Sequence, residues 1–373
     1  MKLLYVNYAA AVWGGIERVS SDKMNYFTKH FGYDVFLLTA NQGSHFLPFK
    51  LDERIHFEDM NIQSQRQYRY RGIRRYWMRY RFNQLLMKRL SEKILQIKPD
   101  IIISNASGYI SELIRLKGDI PLIAESHSGF EHVLEYDDMT WRRRLETQFR
   151  YKKLQRTDVL VTLTESDAQK WRNVHPHVKV IPNVVHLNDS ARYSTCENKR
   201  VIFAGRFCKQ KAIPDLLKVW SIVHERYPDW QLDMYVEGDN KDGLMQQIHA
   251  LNAHINLYPP VSDIMNRFID SSLMVLTSLY EPFGLVIAEA MSCGLPVVSF
   301  EGDGPSSIIT DGHDGFVVGN RSIEQMADRI CSLIENQQLR QRMGQNAIMT
   351  SQQYAADRIM PMWKELFESL TKL

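Results

Sequence analysis

Two acids and two cations lie where apolar stretches give way to helix-forming sequence. In EPFGLVIAEAMSCGLP, Glu281 and Glu289 stand eight positions apart around Gly284 and Leu285, directly after the apolar run LMVLTSL. A helix N-terminus presents unpaired N–H groups and partial positive charge, and glycine lets an anion approach the backbone, so this stretch suits a phosphate. Carboxylates on either side can each accept hydrogen bonds from vicinal hydroxyls, as a sugar and a ribose would offer. The competing reading is that Glu281 only complements the helix dipole while Glu289 faces solvent. In RVIFAGRFCKQKAIPD, Arg206 ends another apolar run and Lys211 follows five residues later, before a helical pattern. Such cations can neutralise the charge that develops on a departing diphosphate. A single cation there would be read as part of a solvated loop. Gly14 and Gly15 in WGGIERV form a third strand–glycine–helix arrangement, although a Gly-Gly pair alone is usually a turn.

The elements that position these residues follow an alternating rhythm. KLLYVN, YDVFLLTA, DIIISN, PLIAESH and DVLVTLT read as strands in the first half, with IERVSSDKMNYFTKHF as a helix. RVIFAGR, WQLDMYVEG, INLYPP, LMVLTSL, PVVSF and GFVVG read as strands in the second, with PDLLKVWSIVHERYP as its first helix. Strands alternating with helices predict parallel sheets covered on both faces. HLNDSARYSTCENK, residues 186–199, has no periodicity and reads as a linker. The expected organisation is therefore two doubly wound Rossmann-like domains, 1–185 and 200–354, with an amphipathic C-terminal helix over 355–373. Ligands of such sheets bind at the carboxyl ends of strands.

Composition narrows the class. The chain has 373 residues, 44% of them hydrophobic, enough for two cores, and 46 basic residues against 43 acidic ones exclude a generally cationic coat. Its four cysteines, Cys196, Cys208, Cys293 and Cys331, have no zinc-like spacing and read as free thiols of a reducing compartment, which points to the cytoplasm. Asn7 interrupts the first apolar run, which argues against a cleaved leader, and no stretch approaches the ~20 apolar residues of a membrane span.

Taken together, WGGIERV, ESHSG, TESD, IPN, GRFCKQKA, YVEGD, SLYEPFGLVIAEAMSCGLPVVSF and GDGPSSIITDGHDGFVV resemble the retaining family 4 glycosyltransferases of the GT-B fold. The E-x7-E glutamate motif is the most specific of these. The resemblance implies two Rossmann-like domains facing across a cleft and a C-terminal helix that crosses back to the N-terminal domain. It implies that Glu289 binds the nucleotide ribose, Glu281 contacts the transferred sugar, and Arg206 and Lys211 bind the diphosphate. Gly284 and Leu285 would lie on the nucleotide sugar, Gly14 and Gly15 in the acceptor-side loop, and His127 near the donor sugar. Without the resemblance, a lone histidine reads as structural. Where the family has Lys-Gly, this chain has Lys211-Ala212, and a position needing positive φ would be strained there.

The expected activity is transfer of a sugar, with retention, from a nucleoside-diphosphate sugar, by preference a UDP-sugar, to a saccharide or lipid-linked glycan of the cell surface. No cofactor is expected, nor a metal, since no D-x-D pair is present. Between Arg66 and Arg89 the chain carries nine basic residues and no acid, interleaved with tyrosine and tryptophan, and a second basic run covers 141–156. Such a surface suits anionic headgroups at the inner face of a membrane. Solvated helix faces are the plain alternative. A GT-B sugar-nucleotide epimerase or hydrolase is the nearer functional rival. The more distant one is a non-enzymatic RNA-binding protein, although an RNA binder has no need for Glu281, Glu289, Arg206 and Lys211, and no nucleic-acid partner is expected.

Overall fold

The computed structural model describes residues 1–11, 14–130, 149, 151–238 and 241–372. It divides into two compact units, Met1–Val184 with Asp357–Leu373, and Val185–Ala356. Each is built on a parallel sheet, as the alternating pattern predicts.

In the first unit β1 (Lys2–Asn7), β2 (Asp34–Thr39), β3 (His56–Asp59), β4 (Ile101–Asn105), β5 (Leu122–Glu125), β6 (Val159–Thr162) and β7 (Val178–Val180) pair in the order β3-β2-β1-β4-β5-β6-β7. Leu3, Leu4 and Val6 of β1 and Ile101 and Ile102 of β4 are fully buried, as central strands covered on both faces require. Helix α1 (Gly15–His30) packs Val19, Met24 and Phe27 inward. Helix α2 (Gly72–Ile97) buries Leu86, Leu90, Ile94 and Ile97, spaced four, four and three apart, and its first turns bury nothing. The helix Ala356–Thr371 contributes Trp363 and Phe367, and the Phe367 ring meets Phe27 edge-on at 5.2 Å. No described helix is long and apolar enough to cross a membrane.

The second unit pairs β8 (Arg200–Arg206), β9 (Gln231–Glu237), β10 (Ile255–Tyr258), β11 (Leu273–Leu276), β12 (Val297–Phe300) and β13 (Gly315–Val318) in the order β10-β9-β8-β11-β12-β13. The helix Ile213–Arg226 starts with Pro at its first turn and buries Leu216, Leu217, Trp220 and Val223. The stretch 186–199 is counted with this unit and is tied to it. The Ser194 N–H donates to Cys293 O at 2.8 Å, and the Asn188 N–H to Ser292 Oγ at 3.0 Å.

Both sheets reverse strand order once, between β1 and β4 and between β8 and β11. Connections on either side of such a reversal leave in opposite directions and open a crevice at the strands' carboxyl ends. In the second unit the loops carrying Arg206, Lys211 and Glu281 follow those two strands.

Candidate active site

Backbone pairing brings the two second-unit loops together. The Leu279 N–H donates to Gln210 O at 2.7 Å, and Gln210 Nε2 donates to Tyr280 O at 3.0 Å. The Thr277 hydroxyl donates to Lys211 O at 3.1 Å. The loops are thus one unit of structure before any charge is considered.

Lys211 and Glu281 meet at its centre. Lys211 Nζ lies 2.6 Å from Glu281 Oε2, with the side chains only 10% and 13% exposed. Ser278 Oγ donates to the same carboxylate oxygen at 3.2 Å. The lysine stem passes over Gly205, where an added Cβ would stand 3.3 Å from Lys211 Cε. Gly284 caps the following helix with φ 97°, ψ 59°, a left-handed geometry that favours glycine. Leu285 is that helix's first residue, and Glu289, five positions in, is 6% exposed. The competing reading of a solvated Glu289 face therefore fails, because the helix Leu285–Ser292 is apolar and packed on nearly every side. Arg206 is exposed at the end of β8.

Ala212 adopts φ 45°, ψ 48°, the left-handed conformation for which the family's glycine is suited. Here alanine occupies it between a 3-10 turn and the helix Ile213–Arg226.

Sequence reasoning missed the groups that hold this arrangement. Arg321 donates to Ser278 O at 2.8 Å, Thr277 O at 3.1 Å and Asp215 Oδ2 at 2.7 Å, and its guanidinium lies 4.5 Å from the Phe300 ring centroid. It clamps the residues just after β11 to the first turn of the helix Ile213–Arg226. Gly304 N–H donates to Glu281 O at 2.9 Å, and a Cβ on Gly304 would lie 2.1 Å from Phe283 O. GDG in the sequence was a signal of that close approach; Arg321 had none.

In the first unit β1 and β5 carry the remaining candidates to the carboxyl edge of the sheet. Gly14 precedes α1 with φ −130°, ψ 160°, an extended geometry open to any residue, and Gly15 is the first residue of α1. Trp13 lies outside the described residues, as does most of the 141–156 basic run. His127 Nε2 lies 2.8 Å from Glu125 Oε2, with both side chains 5% exposed. Lys23 Nζ reaches the other oxygen of Glu125 at 2.6 Å. Burial alone would raise the Glu125 pKa, but Lys23 and His127 outweigh it and hold the carboxyl at about 2. Glu125 and Lys23 were missed as well. The i, i+2 spacing of ESH on a strand end was the available signal for Glu125.

Two units, each a parallel sheet with one reversal of strand order, make up the GT-B fold. Residues 13–189 match glycosyltransferase family 4 and residues 191–350 match the glycosyl transferases group 1 family. The chain belongs to this family of GT-B enzymes. It is 28% identical over 358 residues to an uncharacterized glycosyltransferase of Haemophilus influenzae, covering 94% of this chain and 95% of that protein. It is 26% identical over 376 residues to the amylovoran biosynthesis glycosyltransferase AmsD of Erwinia amylovora, covering 98% and 99%. A crystal structure of an S. aureus TarM mutant with Fondaparinux, alpha-GlcNAc-glycerol and UDP has the same fold, with TM-score 0.79 at 16% identity over 98% of this chain and all of that one. The protein is a glycosyltransferase related to a glycosyltransferase of polysaccharide biosynthesis.

Proposed function

We propose that the protein transfers a sugar, with retention of anomeric configuration, from a UDP-sugar to a lipid-linked glycan in cell-surface polysaccharide synthesis, in the cytoplasm at the inner face of a membrane. The observation that carries the donor assignment is the Lys211–Glu281 pair beside the Gly284 helix entrance. It sets a cation and a sugar-binding acid side by side at a switch point, where a glycosyl diphosphate presents phosphate and sugar hydroxyls together. UDP in the TarM complex supports uridine as the base.

On this reading Glu289 takes the ribose, Arg206 and Lys211 the diphosphate, and Glu281 the transferred sugar. The acceptor oxygen bonds to the anomeric carbon on the face that the phosphate leaves. The sugar–phosphate electron pair departs with the diphosphate, whose oxygen takes the acceptor's proton. The two cations stabilise that charge without a metal. Gly14, Gly15 and His127 are the first unit's candidates for substrate contact.

The membrane part of the proposal rests on α2. Ile73, Tyr76, Trp77 and Tyr80 are 87%, 73%, 56% and 62% exposed, among arginines at 71, 74, 75, 79 and 81. An apolar and cationic helix start left open in this way suits an anionic headgroup layer. The decisive test is product analysis with a panel of UDP-sugars, with and without a lipid-linked acceptor. An axial-to-axial or equatorial-to-equatorial product in the proton spectrum supports the proposal. An inverted product, or turnover of donor alone, refutes it.

A further inference from the structure

A second group of buried charges belongs to the first unit and is not explained by substrate contact. Lys23 is 2% exposed in its side chain and Glu125 5%, and they meet at 2.6 Å. Glu125 meets His127 through its other oxygen at 2.8 Å. Trp363, from the helix Ala356–Thr371, places its ring 4.3 Å from Lys23 Nζ, a cation–π contact that holds the ammonium from behind. The cavity these groups line has a volume of about 10 Å³. That is room for about one water and excludes a sugar or a phosphate. Lys23 and Glu125 therefore act on each other and on His127.

We propose that Lys23 and Glu125 are positioning residues that fix which nitrogen of His127 carries the proton. The proposal rests on the reading of His127 as the residue beside the donor sugar. An ionised carboxylate only accepts, so the His127 nitrogen facing Glu125, Nε2, carries the hydrogen. In the neutral ring Nδ1 is then the lone-pair nitrogen, an acceptor and not a donor. Lys23 decides whether that state persists. With Lys23 present, the Glu125 charge has a permanent counter-ion. Without it, His127 is the remaining partner, and pairing drives it to imidazolium, whose Nδ1 donates instead of accepting. Burial lowers the Lys23 pKa while Glu125 opposes that shift, the pattern of a cation retained for its partner. The titratable groups facing the assembly are Lys23 from α1, Glu125 and His127 from β5 and its loop, and Tyr5 from β1, whose buried hydroxyl is pushed up by burial and by the Glu125 charge. The lining from residues 161–163 and 181–183 is uncharged.

The test uses the full chain with ¹⁵N-labelled histidine, the His127 signal being assigned by its loss in His127→Gln. At about pH 8 the wild type should show hydrogen on Nε2 and a bare Nδ1. At the same pH Lys23→Met should place hydrogen on Nδ1 as well, and Lys23→Arg should restore the bare Nδ1. In kinetics Lys23→Met should lower kcat at least tenfold with donor KM near wild type. If Lys23→Met does not fold, the pair Lys23→Met and Glu125→Gln removes both charges together and should leave His127 neutral but mixed between tautomers. A wild-type His127 nitrogen spectrum in these variants would overturn the proposal and leave Lys23 as packing alone. Wild-type turnover in His127→Gln would instead overturn the catalytic reading of His127, with the coupling still visible in the nitrogen spectra.

Discussion

Removing either member of the Lys211–Glu281 pair should have opposite consequences for nucleotide binding. At 2.6 Å and an effective dielectric of about 20, the gross attraction is roughly 6 kcal/mol. Most of it is offset by desolvating both ions. Fully exposed pairs contribute at most about 1 kcal/mol, and deleting one partner of a sealed pair costs about 3–5 kcal/mol. With side chains 10% and 13% exposed, the pair lies between these limits. Lys211→Met should therefore destabilise the protein by about 2 kcal/mol, leaving Glu281 with only the Ser278 hydroxyl at 3.2 Å. Glu281→Gln should cost under about 1 kcal/mol, since the amide oxygen still accepts from both neighbours. Urea unfolding measures these differences. In titration calorimetry with UDP, Lys211→Met should weaken binding by roughly 10–150-fold, the loss of one charge-assisted hydrogen bond of about 1.5–3 kcal/mol. Glu281→Gln should bind UDP as well as wild type or more tightly, because it removes an anion beside the diphosphate, while turnover with the full donor falls. Equal losses of UDP affinity in both variants would refute the division of roles, as would unaltered affinity in Lys211→Met.

Three further outcomes follow from single features. Ala212→Gly should stabilise the protein by up to about 1 kcal/mol, since relief of ~1–2 kcal/mol of left-handed strain exceeds the ~0.4–1 kcal/mol lost to unfolded-chain entropy; a lower urea midpoint would contradict it. Glu125, held at about 2 against an ordinary 4.5, has a depressed folded pKa, so its contribution is complete above pH 4.5 and is lost as pH falls through about 2. About 2 kcal/mol of the roughly 3 kcal/mol total should be lost between about pH 5 and pH 3 in unfolding measurements, and that loss should flatten in Glu125→Gln. Replacing Arg71, Arg74, Arg75 and Arg79 with glutamine should release the protein from anionic vesicles in co-sedimentation while nucleotide affinity is retained. Wild-type binding that ignores lipid charge or ionic strength would count against the docking surface.

The alternating strands and helices were legible because central parallel strands are continuous apolar runs, and KLLYVN and DIIISN could hardly be anything else. β3, HFED, and β7, VKV, were not, because both are short edge strands with little buried surface to impose a pattern. The fate of 186–199 was also hidden. A polar stretch without periodicity can be a loose tether or can be fixed by hydrogen bonds, and those to Ser292 and Cys293 come from residues about a hundred positions away.

The same distinction runs through the candidate site. Glu281, Gly284 and Lys211 announced themselves because each type has a local reason to follow a strand and precede a helix. Even the Ala212 backbone conformation could be foreseen, because a single missing glycine marks where left-handed geometry is needed. Arg321 and Lys23 have no such local reason. Arg321 acts on carbonyls at 277 and 278 and on Asp215, and Lys23 on a carboxylate 102 positions away. On α1, with no neighbour to pair with in sequence, Lys23 reads as a surface cation. Only the fold shows that β1, β4 and β5 lie side by side and that α1, which follows β1, carries this lysine over Glu125. Groups proposed to touch a ligand can thus be picked out from motif and spacing. Groups that set the charge and direction of those ligand contacts are fixed by which strands are neighbours, and there the parallel sheet orders residues in a way the chain does not.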